Sequence, residues 1–482
     1  MLKARQRGGQ MRFAILSHAG MLVETEEIKL VVDPWIVGSC YWRSWWNYPR
    51  PVLPASLDDI THIYLTHHHW DHFHGPSLRK LPKSAVALIP QAHSRRLVDN
   101  LREFGFRDMV ELPHGKTVSI RSSLRITSYH FAPVLDSTLV VDDGTSVLVD
   151  MNDCKLTGLP LRQLMTRHPK VDFLFRSHSS ADAYPHCVEA EDRREQHYRT
   201  NTDYLVEFAK TVELIHPRYA IPFASNQCFL HRDTWKYNET VMSPLAVKEH
   251  FEAERIGGSE CVVMVAGDSW DRVSGFALQD HDHFTQRQRQ LEEYAAEVSP
   301  ILSDYYAREE RRTLSFDAFK AYFSEFMDAL PRLLRLVFSP SIVFKITTAG
   351  DKAQDRRWVL DFSRNRISES PALPPNWQIV ITTPTSVLRD CVRKRMFSVW
   401  APSKRLQIRV RTGQMQNLFL FMVLLDLYEY DYFPLRRMVS RRFLSTWSRR
   451  WREVVFYFVL LLRLARAYGR RDAVSVLVPH TE

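Results

Sequence analysis

Short apolar runs bounded by glycine, proline and polar turns recur through the first half of the chain, and their lengths fit strands better than helices. Phe13 to Leu16 and Lys29 to Asp33 read as strands, with Ser17-His18-Ala19-Gly20 turning between them. Ile60 to Leu65, Ala85 to Ile89, Leu124 to Ser128, Thr138 to Val141, Ser146 to Val149 and Tyr219 to Pro222 continue the series. Helical spacing of apolar residues appears around Ser77 to Leu81, Ala92 to Phe104, Leu161 to His168 and Tyr204 to Ile215. The alternation of the two element types predicts an α/β fold whose strand-end loops carry the chemistry.

The pattern changes near residue 270. Asp280 to Arg312 is charged and glutamine-rich, and the spacing of Arg287, Leu291 and Tyr294 predicts a helix that covers or bridges. From Leu336 onward, strand-like runs at Ile342 to Thr347, Arg357 to Phe362, Trp377 to Thr382 and Leu406 to Val410 are joined by turns at Ala349-Gly350 and Pro371 to Pro375. This predicts a second, smaller α+β domain, and its lack of clustered His, Cys and carboxylates assigns it a binding or scaffolding role. The resulting division is a metal-binding catalytic domain over 11–270, a helical connector over 271–335, an accessory domain over 336–430 and an Arg-rich helical tail over 431–482.

Length supports several domains. A chain of 482 residues exceeds the size at which one core keeps growing, and 45% hydrophobic content argues against disorder. Six scattered cysteines without a Cys-x-x-Cys pair, and a basic, polar start, point to a reducing cytoplasmic setting. The net charge of +10 is concentrated: Arg436 to Arg471 contains eleven Arg and one acid, Glu453. Val454 to Leu462 within it is too short to span a bilayer. Such a basic, partly apolar helix closes its own domain, lies on an anionic membrane surface or docks on an acidic partner. Concentration of charge in one tail, not along a groove, argues against nucleic acid as partner.

Candidate chemistry centres on Thr66-His67-His68-His69-Trp70-Asp71-His72-Phe73-His74-Gly75, directly after the apolar run Ile60 to Leu65. Imidazoles of His67, His69 and His72 with the Asp71 carboxylate form a donor set suited to zinc, iron or manganese. The spacing His67-x-His69-x-Asp71-His72 after a strand resembles the metal motif of the metallo-β-lactamase superfamily. That resemblance implies an αββα sandwich and two divalent transition metals, with His67 and His69 on one and Asp71 and His72 on the other. It further implies a downstream His and a bridging carboxylate. His130 fits the first and Asp153 the second, with Asp150 as the competing choice. Where the family places its last His, this chain has Ala224, so His231 is the expected replacement, with His178 and His186 as substitute donors or substrate contacts. Asp71 and Asp153 are the expected catalytic carboxylates.

Asp33-Pro34-Trp35 with Trp45-Trp46, Asp153-Cys154, and Pro222-Phe223-Ala224 followed by His231 resemble the metallo-β-lactamase-like part of the CMP-N-acetylneuraminate hydroxylase family. In that family a Rieske cluster feeds electrons to an iron centre that hydroxylates a sugar nucleotide. A Rieske cluster pairs Cys-x-His with Cys-x-x-His, and no Cys-x-His spacing occurs here. A hydroxylase built on this chain would take electrons from a separate protein. The same ligands equally serve a zinc or manganese hydrolase of an ester, amide or phosphodiester. The aromatic segment holding Trp45, with Arg43 beside it, reads either as a pocket wall for a nucleotide-linked or acylated small molecule or as a packed loop at the sandwich edge. His178 and Tyr184 are further candidates for substrate contact.

Overall fold

The computed structural model describes residues 10–121, 123–131, 136–195, 200–254, 256, 258–280, 282–347, 356–467 and 480. Two sheets face each other. The first runs Gly275–Ala277, Ser269–Asp271, Arg12–Ile15, Met21–Glu24, Lys29–Val32, His62–Tyr64, Val86–Pro90 and Met109–Leu112 in spatial order. The second runs Glu260–Cys261, Tyr219–Phe223, Phe173–Ser177, Val147–Asn152, Asp136–Asp142, Leu124–Phe131 and Thr117–Ile120.

Alternate side chains on each strand explain the layering. Leu30, Val32, Tyr64 and Leu88 of the first sheet meet Leu139, Leu148, Phe173, Phe175 and Ile221 of the second in one buried cluster. The intervening Val31, Ile63, Ala87 and Ile89 point away and are covered by Leu78, Val98 and Leu101 from Gly75–Leu78 and Arg96–Glu103. Val140, Val149 and Leu174 on the other sheet meet Leu161, Phe208 and Phe251 of helices Gly158–Arg167, Asn201–Ile215 and Pro244–Glu254. The central strands of both sheets are therefore buried on both faces, and they read as continuous apolar runs because water reaches neither side. The layer order is αββα.

Lys29–Val32, His62–Tyr64, Val86–Pro90 and Met109–Leu112 are parallel, as are Val147–Asn152, Phe173–Ser177, Tyr219–Phe223 and Glu260–Cys261. Arg12–Ile15 shares the direction of Lys29–Val32, because Met21–Glu24 lies antiparallel between them. Asp136–Asp142 runs against Val147–Asn152, so it begins where that strand ends. Loops after Ile15, Val32, Tyr64 and Asn152 consequently gather at one rim with the start of Asp136–Asp142.

The domain division needs correcting. Ser269–Asp271 and Gly275–Ala277 form a hairpin on Arg12–Ile15, so the stretch from 271 is not purely a helical connector. The second unit holds a six-stranded sheet, Val188–Ala190, Gln407–Val410, Ile379–Pro384, Ser341–Thr347, Arg356–Asp361 and Arg366–Ser370. Its first strand comes from inside the expected catalytic segment and pairs Val188 with Ile408. Helix Phe316–Ala329 also packs into that unit, and its core continues through Trp35, Tyr41, Trp42 and Trp45. A three-residue strand carries too little periodicity to announce itself in sequence. The expected turn at Ala349-Gly350 lies outside the described residues.

Candidate metal centre

Six side chains converge at the rim. His67, His69 and Asp153 present ligand atoms within 4.8 Å of one another, and so do His18, Asp71 and His72. The sets adjoin: His72 Nε2 lies 3.2 Å from Asp71 Oδ2 and 3.3 Å from Asp153 Oδ2. His18 Nε2 lies 3.3 Å from Asp71 Oδ2. Neither His18 Nε2 nor His72 Nε2 is in hydrogen-bonding geometry with these oxygens, although both are buried. His67 Nε2 and His69 Nδ1 face each other at 2.9 Å. Burial, then the neighbouring His72 and His69, hold the His67 imidazole well below its ordinary pKa, so its ring stays neutral. The neutral His67 ring, the carboxylates and the unmet nitrogens of His18 and His72 together form the donor set that a divalent cation completes.

Local structure fixes each donor. Asp33, at the end of Lys29–Val32, accepts from Thr66 N at 2.8 Å, Thr66 Oγ1 at 2.5 Å and Asn152 Nδ2 at 2.8 Å. Its Oδ2 also lies 2.7 Å from His72 Nδ1, which directs the other ring nitrogen toward Asp71 and Asp153. The Tyr41 hydroxyl donates to Asp71 Oδ1, and Tyr41 is raised in pKa by burial and then by that carboxylate, so it retains its proton. Tyr41, Trp42 and Arg43 all have positive φ, at 50°, 56° and 64°. Three successive non-glycine residues in the left-handed region are costly, and packing against the second unit holds them there.

Sequence reasoning missed His18, Asp33 and Asp136. His18 follows the first strand, its backbone N–H donates to Asn47 Oδ1 at 2.9 Å, and its ring packs against Trp35 and Trp45. Its signal was the turn Ser17-His18-Ala19-Gly20 at a strand end. Ala224 N donates to His18 O, so the backbone at the position where a last His was expected abuts a histidine of the second set. Asp136 has a buried, unpartnered Oδ1, and burial pushes its carboxyl up to about 6 while His69 opposes that rise.

Two expected donors stand apart from both sets. His130 lies beside His114, with ring centroids 5.4 Å apart, and its carbonyl accepts from Arg450 Nη2 at 3.0 Å. The tail helix packed over that strand end holds His130 there, and Asp136 from the neighbouring strand reaches toward the rim. His231 Nε2 faces Glu309 Oε2 at 3.7 Å and its Nδ1 accepts from Asp233 N at 3.1 Å. It is held by the long helix Arg287–Glu310 and does not loop back. Of the competing carboxylates, Asp153 faces His72, while Asp150 is buried beside Asn152 and belongs to neither set.

The candidate substrate contacts divide similarly. Trp45 is 1% exposed, and its indole N–H donates to Pro402 O at 2.9 Å, so it is a packed wall behind His18. His178 is fully buried near His18, and burial pushes it down to about 3. Tyr184 and Arg43 are half-buried, with Arg43 Nη1 donating to Ser39 Oγ at 3.0 Å.

Comparison with known proteins adds the following. No protein-family model matches the chain. A Mycolicibacterium smegmatis protein named for a Rieske 2Fe-2S iron-sulfur centre is 23% identical over 414 residues, covering 80% of this chain and 78% of its own length. The human inactive cytidine monophosphate-N-acetylneuraminic acid hydroxylase is 24% identical over 232 residues, 45% of each protein. The chain thus spans less than half of that hydroxylase. The metallo-β-lactamase-fold protein YhfI of Bacillus subtilis aligns in structure over 54% of this chain and 99% of its own, at 12% identity and a TM-score of 0.34. In this αββα sandwich the candidate centre occupies the rim where both sheets end, walled by Tyr41, Trp42 and Trp45, whose core is continuous with the second unit.

Proposed function

We propose that the chain is a metal-dependent hydroxylase with two divalent transition metals, fed with electrons by a separate donor. The convergence of unpartnered histidine nitrogens on Asp71 and Asp153 is the observation that carries the metal assignment. His67, His69 and Asp153 would hold one ion, and His18, Asp71 and His72 the other, with Asp153 placed to serve both and Asp136 completing the first set. Iron in such a site supplies dioxygen activation, and zinc or manganese supplies an activated water.

The chain's own groups have definable roles. Asp33 holds His72 in one tautomer and ring orientation. Tyr41 keeps Asp71 Oδ1 occupied, leaving Oδ2 for the centre. Trp35 and Trp45 exclude water from the side facing the second unit. Tyr184 and Arg43 are the proposed contacts for an anionic or nucleotide-linked substrate. Similarity to the sialic-acid hydroxylases and to Rieske-named proteins favours the hydroxylase over the hydrolase that the same ligands would support.

Elemental analysis after expression in iron-replete and zinc-replete medium tests the reading, together with absorbance in air and under argon. About two irons per chain with an oxygen-sensitive spectrum is the expected result. Tight zinc taken up in preference to iron would turn the assignment to hydrolysis, and absence of any bound metal would end it.

A further inference from the structure

The helix Trp451–Ala467 carries two apolar faces, and only one is used by the protein. Glu453, Tyr457 and Leu460 are buried. Tyr457 stacks edge-on with Phe131 at 5.3 Å, and Glu453 Oε2 accepts from Arg450 Nε at 3.0 Å. The opposite face is open. Trp451 is 61% exposed, Val455 56%, Phe458 62% and Leu462 43%, and their 4-3-4 spacing makes one stripe along the helix, widened by Val454 and Val459. Leu435, Val439 and Leu444, just before it, are exposed as well.

The charge around this stripe has one sign. Arg436, Arg441, Arg449, Arg452, Arg463 and Arg466 are exposed, and the only acid between residues 432 and 467 is the buried Glu453. Arg449, Arg452, Arg463 and Arg466 have no carboxylate partner among the described residues. Exposed apolar patches of this kind mark an interaction surface. A second copy of the chain docking by two-fold symmetry would set arginine against arginine across the interface. No described helix is long and apolar enough to cross a membrane, and this one is tied along its inner face to the body of the protein. Its length of about 25 Å therefore lies flat. A flat apolar stripe with a Trp and a Phe, rimmed by arginines, matches the boundary between acyl chains and anionic headgroups.

We infer that this face binds the surface of an anionic lipid bilayer, with Trp451, Val455, Phe458 and Leu462 entering the headgroup region and the arginines pairing with lipid phosphates and carboxylates. The candidate centre plays no part in the inference.

Co-sedimentation of the full chain with phosphatidylcholine vesicles containing roughly one-third phosphatidylserine, against pure phosphatidylcholine, tests it. Binding to the anionic vesicles should be at least about tenfold tighter than to the neutral ones, and should weaken as salt shortens the Debye length. Phe458→Asp and Arg463→Glu should each weaken it by roughly tenfold with unchanged circular dichroism and metal content, since both side chains are exposed. Failure to bind anionic vesicles, or full binding by Phe458→Asp, would overturn the inference. So would a concentration-dependent dimer in light scattering that Phe458→Asp abolishes while vesicles stay unbound.

Discussion

At the sandwich rim His18, His67, His69 and His72 meet Asp71 and Asp153; elsewhere in the same molecule His231 meets Glu309, Asp233 and Arg405. Both clusters are largely buried and rich in imidazole and carboxylate, and either passes for a metal site on composition. They differ in where the balancing positive charge comes from. Arg405 Nη1 donates to Glu309 Oε1 at 2.8 Å and Nη2 donates to Asp233 Oδ2 at 2.9 Å, so the second cluster carries its own cation. Ser386 Oγ also donates to Glu309, at 2.5 Å. In the rim cluster, the described partners of Asp71 and Asp153 are histidine rings and one tyrosine hydroxyl. A cluster whose charge is closed internally is structural, and one left open to a cation is a binding site.

Substitutions test this contrast. Asp153→Ala should reduce bound metal from about two ions per chain to at most one by elemental analysis, because the carboxylate between the two sets is gone. His231→Ala, at the closed cluster, should leave metal content unchanged. Equal metal loss in both variants would erase the distinction.

The next effect is on stability. Glu309→Ala leaves the Arg405 guanidinium buried with its principal partner removed, and should cost about 3–5 kcal/mol in urea unfolding. Burial works against ionisation of Glu309, but His231 and Arg405 outweigh it and hold the carboxyl well below its usual range. Metal stoichiometry of the folded variant should not change. A stability loss below 1 kcal/mol would show that the cluster is not closed by this pair.

Asp33→Asn should act more gently, weakening metal affinity by about 10–100-fold in competition with a chelator, because the charge that orients His72 is lost while its shape remains. Unaltered affinity would remove Asp33 from its positioning role.

The smallest effect concerns a third cluster, where the tail helix meets the sandwich. His114 Nε2 lies 3.5 Å from Glu453 Oε1, and burial, followed by Arg450, pushes His114 down from 6.5 to about 4. Between those values the unfolded chain binds a proton that the folded chain does not. Stability should therefore fall as pH drops from 6.5 to about 4, and His114→Asn should flatten that part of the profile in thermal melts. An identical slope in the variant would assign the pH dependence to other groups.

Much of the fold was legible because most strands of the sandwich are buried on both faces. Runs such as Leu124–Phe131 and Val147–Asn152 therefore stand out against polar turns. Met21–Glu24, Phe173–Ser177 and Val188–Ala190 escaped, being too short or too close to other apolar runs to show a period. Within the centre, His67, His69, Asp71 and His72 were readable as a set because one loop delivers all four. Asp153 was readable from its place past a strand end. His18 and Asp136 were not, since each comes alone from a distant segment and only the sheet directions bring both to the rim. The expectation of His130 and His231 followed chain order, whereas their environments were set by Arg450 and Glu309, which nothing in the local sequence pairs with them.

The sequence by itself determined an α/β fold of buried strands, the loop that carries the His67-to-His72 cluster, and the arginine-rich tail, because hydrophobic period, donor type and charge are properties of contiguous residues; the αββα layering entered only through a resemblance. Tertiary structure alone decided that His18 lies beside Asp71, that Asp153 faces His72, and which face of the tail stays open. Each depends on contacts between residues far apart in the chain, where the deciding quantity is the presence or absence of a balancing charge or a covering surface.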